Sequence, residues 1–504
     1  MKILLTTLNS KYVHSNLALK LLYTCAAEKC EGLEIKEFTI NQNDDYIFTE
    51  LLQEEYDVIC FSCYIWNIER IIDLAENIKK AQPDVWIVLG GPETSFETVE
   101  FIKKHKSIDF IITGEGEYTF SSLCRALKTC DERFEKIKGL VYRKDGKIYV
   151  NPPSELLIFE SIPFPYDTMP CESDKVLYYE SARGCPFSCS YCLSSLDKKI
   201  RALSLGRVFH DLDWFLEREV KQVKFVDRTF NWDKVRCNEI VKYIIEKDNA
   251  ITNFHVEICG EFIDDEFLDL AARARKGLFQ FEIGIQSTYK KTLAAVNRSD
   301  QIEKLLHNTR KLTALGNVKV HVDLIAGLPY ESYHTFQNSF NDVYSLGADT
   351  FQLGFLKLLK GTEIREKIEL YRYEYRRKAP YEVISNRFIS AKDITRLKQI
   401  EELLDLYDNR GGFEKTLGAI IENLAESAFA FYEEFSIFYS LKGFQHRSHK
   451  KEDLYRILYE YINWKCKTTE ITPEAFITLL SEDLQRTMNQ DAVKKFERKG
   501  WNIL

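Results

Sequence analysis

The sequence predicts an α/β protein in three parts: an N-terminal parallel-sheet domain, a central partial (β/α)6 barrel and a C-terminal all-α domain. Three observations predict it. The first 125 residues alternate short apolar strands with amphipathic helical stretches, a second strand–helix series runs from Val176 to about residue 355, and beyond about residue 380 the strand signal stops. At 504 residues the chain is also too long for one core.

In the first part, 2–7, 33–39, 58–62, 86–89 and 110–113 read as strands and 15–30 and 68–80 as helices. Within 68–80, Ile68, Ile71, Ile72, Ala75 and Ile78 share one helical face. Strand 58–62 follows an acidic break and is apolar throughout, the pattern of a strand covered on both sides. The strands at 86–89 and 110–113 run into glycine, and ligands of such sheets bind beyond the carboxyl ends of the strands. A hairpin signal turns at Asp145 and Gly146, and a proline-rich connector follows to Pro170. The expected domains are 1–137, a hairpin and linker over 138–170, the barrel over 171–378 and the helical domain over 379–504. Barrel strands are expected near 176–181, 222–226, 253–258, 279–284, 318–325 and 350–355, with the active face at their carboxyl ends. In the tail, Ser390 with Asp393 and Thr472 with Pro473 mark helix starts. Ala428, Phe431, Tyr432, Phe435, Phe438 and Tyr439 form an apolar stripe of the kind that fills a core.

Apolar content of 45% and charged content of 29% are those of a globular protein, and a formal charge of −8 argues against a generic nucleic-acid binder. The first residues meet a polar stretch too soon for a signal peptide, and no apolar run approaches a membrane span. The expectation is a cytoplasmic protein with no membrane and no evident nucleic-acid partner. Of thirteen cysteines, ten are scattered and read as small buried hydrophobes.

The other three lie in Ser-Ala-Arg-Gly-Cys-Pro-Phe-Ser-Cys-Ser-Tyr-Cys, which puts Cys185, Cys189 and Cys192 at C-x3-C-x2-C spacing just after the first barrel strand. Structural zinc takes four N or S ligands, and the next Cys or His is His210, on a helical stretch. Iron–sulfur clusters are usually held by four thiolates, so three in one loop point to a cluster with an open iron, where a ligand can react.

With the aromatic Tyr191 before the last cysteine, this loop resembles the motif of the radical S-adenosylmethionine (SAM) enzymes. The resemblance covers roughly residues 170–375. It implies a 4Fe-4S cluster on Cys185, Cys189 and Cys192, with SAM chelating the open iron beside Tyr191 and reductive cleavage giving a 5′-deoxyadenosyl radical. It implies Asp227 and Arg228, in Phe-Val-Asp-Arg-Thr-Phe-Asn (225–231), near the methionine amino group, although the family's Gly-Gly-Glu form is absent. It also implies Gln286 and Ser287 (Glu-Ile-Gly-Ile-Gln-Ser, 282–287) at the ribose, Arg298 at the cofactor carboxylate, and Gly327, in 323–331, under the adenine.

The first domain resembles the cobalamin-binding domain found upstream of many radical SAM barrels. Tyr-Val-His-Ser-Asn with His14, Phe-Ser-Cys-Tyr with Ser62, Leu-Gly-Gly-Pro-Glu with Gly90 and Gly91, and Gly-Glu-Gly-Glu with Gly114 and Glu115 carry the likeness. Paired glycines let backbone approach a large flat macrocycle, and Ser62 can hydrogen-bond the nucleotide base. Tyr12 and Leu17 replace the Asp and Gly of the family's Asp-x-His-x-x-Gly. The resemblance therefore implies cobalamin binding with His14 lining the loop and not ligating cobalt.

Together the two resemblances imply a cobalamin-dependent radical SAM enzyme, a methyltransferase of an unactivated carbon, with a small-molecule or peptide substrate and an external electron donor of the flavodoxin or ferredoxin type. Radical rearrangement, cyclisation or electron transfer without methyl transfer is the alternative. A methylthiotransferase fits less well, because the loop 8–15 has no cysteine and the tail is helical. A non-catalytic cofactor-binding sensor fits less well too, since a scaffold does not need an open iron.

Overall fold

The structure is a computed structural model and describes residues 1–28, 30–129, 131–489 and 493. These form two compact units: Met1–Gln280 with Lys357–Ile368 and Tyr375–Glu382, and Phe281–Leu356 with Glu369–Glu374 and Val383–Leu504.

The first unit opens with β1 (Ile3–Asn9), α1 (Leu17–Ala26), β2 (Leu33–Thr39), α2 (Asp44–Leu52), β3 (Val58–Ser62), α3 (Ile68–Ala81), β4 (Trp86–Gly90), α4 (Thr98–Lys104), β5 (Phe110–Ile112) and α5 (Glu117–Lys128). The hairpin β6 (Leu140–Lys144) and β7 (Lys147–Val150) follows. The sheet order is β2-β1-β3-β4-β5-β6-β7. It is parallel through β5, after which β6 pairs antiparallel with β5, so the hairpin extends this sheet. Asp145 and Gly146 turn it with φ of 50° and 73°, the left-handed pair that a two-residue hairpin loop requires.

Alternation along the strands explains why they are apolar throughout. Leu4, Ile59, Phe61, Ile87 and Leu89 point into one buried layer with Ile71, Leu74 and Ile78 of α3. Ile3, Leu5, Val58, Val88 and Ile112 point into the opposite layer with Leu19 of α1 and Phe120 of α5. The acidic break before β3 is the helix α2. The Asn43 side chain caps it, Asp44 and Asp45 sit at the positive end of its dipole, and Ile47 and Leu51, four residues apart, enter the core. α1 starts two residues later than expected because Asn16, accepting from the Leu19 N–H at 3.0 Å, sets its start.

The unit continues with β8 (Val176–Tyr179), the ribbon β9 (Ala182–Arg183) and β10 (Arg201–Ala202), α6 (Leu205–Glu217), β11 (Gln222–Phe225), α7 (Lys234–Glu246), β12 (Asn253–Glu257) and α8 (Asp265–Ala272). β11 pairs in parallel with β8 and with β12. β13 (Phe279–Gln286) carries the chain into the second unit, where β14 (Lys319–Ala326) and β15 (Thr350–Phe355) pair in parallel on either side of α11 (Tyr333–Tyr344), which follows α9 (Lys290–Ala295) and α10 (Ile302–Thr313). All six core strands fall where the sequence places them.

The tail is helical over Ala391–Leu403, Glu414–Leu424, Ala428–Leu441, Lys451–Thr469 and Glu474–Thr487. Ser390 caps the first of these, as expected. The stripe from Ala428 to Tyr439 is buried, and Phe429 beside it and Tyr432 within it meet Phe340 of α11 edge-on at 5.4 and 6.0 Å. Residues 490–492 and 494–504 of the expected tail domain, and Cys130 among the ten scattered cysteines, lie outside the described residues. Six of the other nine are buried and Cys25 and Cys259 partly so, but Cys171 is exposed, because it stands in the connector before β8. No described helix is long and apolar enough to cross a membrane.

Candidate active site

A cavity of about 590 Å³ opens in the first unit, within the ~300–1,000 Å³ usual for ligand pockets. The loops after β1, β3, β4 and β5 form one side of it. His14, Ser62, Gly90, Gly91, Gly114 and Glu115, the residues singled out for cobalamin, all line it. Tyr178 of β8, Glu180 just after it, Arg183 of β9 and Arg228 after β11 line it too.

Gly91 has a specific reason to be glycine. Its φ is 108°, and a Cβ there would stand 2.5 Å from the Cys63 carbonyl oxygen. The adjacent Gly90 carbonyl accepts from the Cys63 N–H at 2.7 Å, so the β3 and β4 loops touch backbone to backbone at the cavity wall. Tyr64 and Trp66 stack at 4.5 Å and 3° beside Ser62, with the Trp66 indole donating to the Leu8 carbonyl at 3.0 Å. The His14 Nδ1 lies 2.8 Å from the Tyr178 hydroxyl, which orients the ring as the missing carboxylate of the family motif would. Burial, with Lys11 and Lys224 nearby, lowers the His14 pKa and keeps the ring neutral.

Cys185 and Cys189 are buried and Cys192 partly so, on the loop between β9 and β10. The Cys192 N–H bonds to the Cys189 carbonyl at 3.1 Å, and the Cys185 N–H to the Asp197 carbonyl at 2.9 Å. Thr229, after β11, brings its hydroxyl to 3.8 Å from the Cys185 sulfur. Tyr191 is half-buried in the same loop. Asp227, in the loop after β11, accepts from the Ser181 N–H at 2.7 Å and the Ser181 hydroxyl at 2.6 Å, and burial raises its pKa to about 6. It anchors the strand end leading into the cysteine loop, while its neighbour Arg228 faces the cavity.

The residues fit the two groups that the sequence resemblances imply. Three thiolates from one loop are the donor set of an incompletely ligated iron–sulfur cluster. Within that loop the Ser190 hydroxyl is buried and has no hydrogen-bond partner among the described residues. The glycine-lined, aromatic-flanked cavity suits a large flat ligand with polar edges.

The remaining expected SAM residues belong to the second unit. Gln286 ends β13 with φ 71°, and its side-chain oxygen is buried without a hydrogen-bond partner among the described residues. Arg298 donates to the Gly284 carbonyl at 2.6 Å. Gly327, at φ 93°, presents its carbonyl to the Tyr373 hydroxyl at 3.0 Å and the Asn386 amide at 2.8 Å, and a Cβ there would lie 2.7 Å from Val383. The Ser287 hydroxyl donates to Glu331 at 2.6 Å, and Ser339 to the same oxygen at 2.9 Å. Glu331 is the last residue of the 323–331 segment, where sequence alone gives it no role. Burial raises its pKa to about 7, against the two serine bonds.

That shift has a definite sign. A carboxyl whose folded pKa is raised favours the fold while protonated, so stability falls as pH climbs from about 4.5 to about 7, by on the order of 3 kcal/mol. Glu331→Gln is expected to flatten this part of the pH dependence. Urea midpoints of both chains at pH 5 and pH 8 check it, and an unchanged slope would rule out Glu331 as its source.

Three sequence families match the chain: the B12 binding domain over 3–124, the radical SAM superfamily over 179–343, and a protein of unknown function, DUF4080, over 369–501. The cobalamin-dependent radical SAM methyltransferase TokK of Streptomyces tokunonensis is 26% identical over 352 residues, 63% of this chain and 49% of that one. The anaerobic magnesium-protoporphyrin IX monomethyl ester cyclase of Rubrivivax gelatinosus is 24% identical over 304 residues, 55% of this chain and 51% of that one. The chain thus spans about half the length of these curated relatives. The solved structure of the cobalamin-dependent SAM radical enzyme OxsB, with aqua-cobalamin and SAM bound, shares the fold at a TM-score of 0.66 and 15% identity, over 99% of this chain and 81% of that one. In order along the chain, it carries a B12-binding domain, a radical SAM core and a DUF4080 region.

Proposed function

We propose that the protein is a cobalamin-dependent radical SAM methyltransferase acting on an unactivated carbon. One observation carries this reading: the B12-type loops and the strand ends beside the cysteine loop line a single cavity, with Arg183 two residues from Cys185 and Arg228 next to Thr229. Cys185, Cys189 and Cys192 would hold the cluster, and the loops bearing Ser62, Gly90, Gly91 and Gly114 the corrinoid. When bound, the cluster with SAM supplies a hydrogen-abstracting radical, and the corrinoid a carrier for a methyl group.

The chain's own residues orient and shield. Asp227 fixes Ser181 at the entry to the cysteine loop, Tyr178 fixes His14, and the stacked Tyr64 and Trp66 give the cavity an aromatic wall. Tyr191, Gln286, Ser287, Arg298 and Gly327 are the proposed SAM-binding residues. An external flavodoxin- or ferredoxin-type donor would reduce the cluster, which fits a cytoplasmic location.

A readout independent of the substrate tests this. Anaerobically reconstituted protein with reductant, cobalamin and methyl-deuterated SAM is expected to form 5′-deoxyadenosine and to place the labelled methyl on the corrinoid. The cyclase relative supports a second reading without methyl transfer. In that case 5′-deoxyadenosine forms and the corrinoid stays unlabelled. If neither occurs, both readings fail.

A further inference from the structure

The cysteine loop leaves and rejoins the first unit through one narrow neck. β9 and β10 pair antiparallel there, with Arg183 directly opposite Arg201, and like charges facing each other across two strands repel. One carboxylate lies against both. Glu115 Oε1 is 3.2 Å from Arg183 Nη1 and 2.7 Å from Arg201 Nη2, and Arg201 Nη1 donates to Glu115 Oε2 at 3.0 Å. All three side chains are largely buried, at 15%, 10% and 15% exposure for Arg183, Arg201 and Glu115, so removing the carboxylate takes away the one charge shared by both guanidiniums and leaves each to the carboxylates on its own side of the neck. Glu117 and Glu180 also pair with Arg183, each at 2.8 Å, but among these carboxylates only Glu115 bridges the two arginines across the neck.

Glu115 comes from the loop after β5, where the flanking Gly114 and Gly116 line the cavity. The Leu157 N–H fixes its other oxygen at 2.8 Å. Burial works to raise its pKa, and the contacts with Arg201, Leu157 and Arg183 outweigh it and hold the carboxyl below its ordinary range, so it is charged. From the neck to the cysteines the path is short and stiff. Arg201 pairs with Asp197 at 2.6 Å, and the Asp197 carbonyl accepts the Cys185 N–H at 2.9 Å. Between Arg183 and Cys185 stands Gly184, at φ 104°, where a Cβ would lie 2.7 Å from the Lys199 carbonyl oxygen.

We infer that Glu115 is a positioning residue that latches the cysteine loop to the B12-type loop, so that corrinoid in the cavity and retention of the cluster are coupled. This rests on the function proposed above. A ligand packed against 114–116 stabilises the arrangement in which Glu115 holds both arginines, and by linkage a loop closed on its cluster favours that ligand in return.

The test is the rate at which a ferrous chelator strips iron from the reconstituted full chain, with and without hydroxocobalamin. In the wild type, hydroxocobalamin is expected to slow release about fivefold or more. Glu115→Gln is expected to release iron about tenfold faster and to lose the protection, while Glu115→Gln with Arg201→Gln, which removes the facing charge, returns the rate most of the way. Wild-type rate or an unchanged protection ratio in Glu115→Gln would overturn the latch, as would a double variant no better than the single one. If Glu115→Gln does not fold, Glu115→Asp, too short to reach both arginines, decides by the same rate and ratio. A wild type that takes up neither cluster nor corrinoid would instead sink the proposed function, and that outcome is visible before any variant is made.

Discussion

Replacing Cys185, Cys189 or Cys192 with alanine is expected to take the iron content of anaerobically reconstituted protein from about four per chain to near zero and to abolish 5′-deoxyadenosine formation. No fourth thiolate in the loop can take over, and the Thr229 hydroxyl, 3.8 Å from the Cys185 sulfur, is a poor iron ligand. Corrinoid binding should weaken only by the several-fold of the inferred coupling and not be lost, because the loops after β1, β3, β4 and β5 stand on a sheet with its own two core layers. Iron assay, product chromatography and the corrinoid spectrum on the same samples check all three points. A variant that keeps a full complement of iron would mean that the cluster sits elsewhere.

The second large effect is expected at Gly91→Ala. The substitution puts a Cβ 2.5 Å from a backbone oxygen that cannot swing away, at a φ of 108° that alanine rarely adopts, a cost of about 1–3 kcal/mol. The β3 and β4 loops must part to accommodate it, and both form the cavity wall. Corrinoid affinity should fall about tenfold or more, since each 1.4 kcal/mol is a factor of ten. Gly146→Ala, at a positive φ of 73° on the β6–β7 turn with open space around it, is the control for a positive-φ alanine without the clash. Equal losses in the two variants would remove the case for Gly91 as a wall of the site.

Much of the fold was legible because its signals are local. The six core strands and those of the first sheet are short apolar runs ending at glycine or polar loops, and the Asp145–Gly146 turn carries its own chemistry. α2 was not, since a cap and two first-turn carboxylates look, without the buried Ile47 and Leu51, like a charged break. The cysteine loop was legible from spacing alone. The residues that hold it in place were not: Glu115, Arg183 and Arg201 come from three distant stretches, and only the fold makes them neighbours. Likewise nothing in the run around Tyr178 announces that its hydroxyl meets His14. Asp227 shows the converse, a conspicuous acid in a motif loop whose carboxylate is taken up by Ser181.

That the cluster and the corrinoid share one cavity is tested most directly by electron paramagnetic resonance of the protein holding cob(II)alamin, recorded with the cluster oxidised and then reduced. Arg183, two residues from Cys185, lines the cavity that the B12-type loops form, so paramagnets held by these neighbouring loops are expected to sense each other. The cob(II)alamin signal is expected to broaden or relax faster when the cluster is reduced, and to show no such change when Cys185, Cys189 and Cys192 are replaced by alanine. An identical cob(II)alamin signal in both cluster states of the fully loaded wild type would contradict the shared cavity and the methyl transfer built on it.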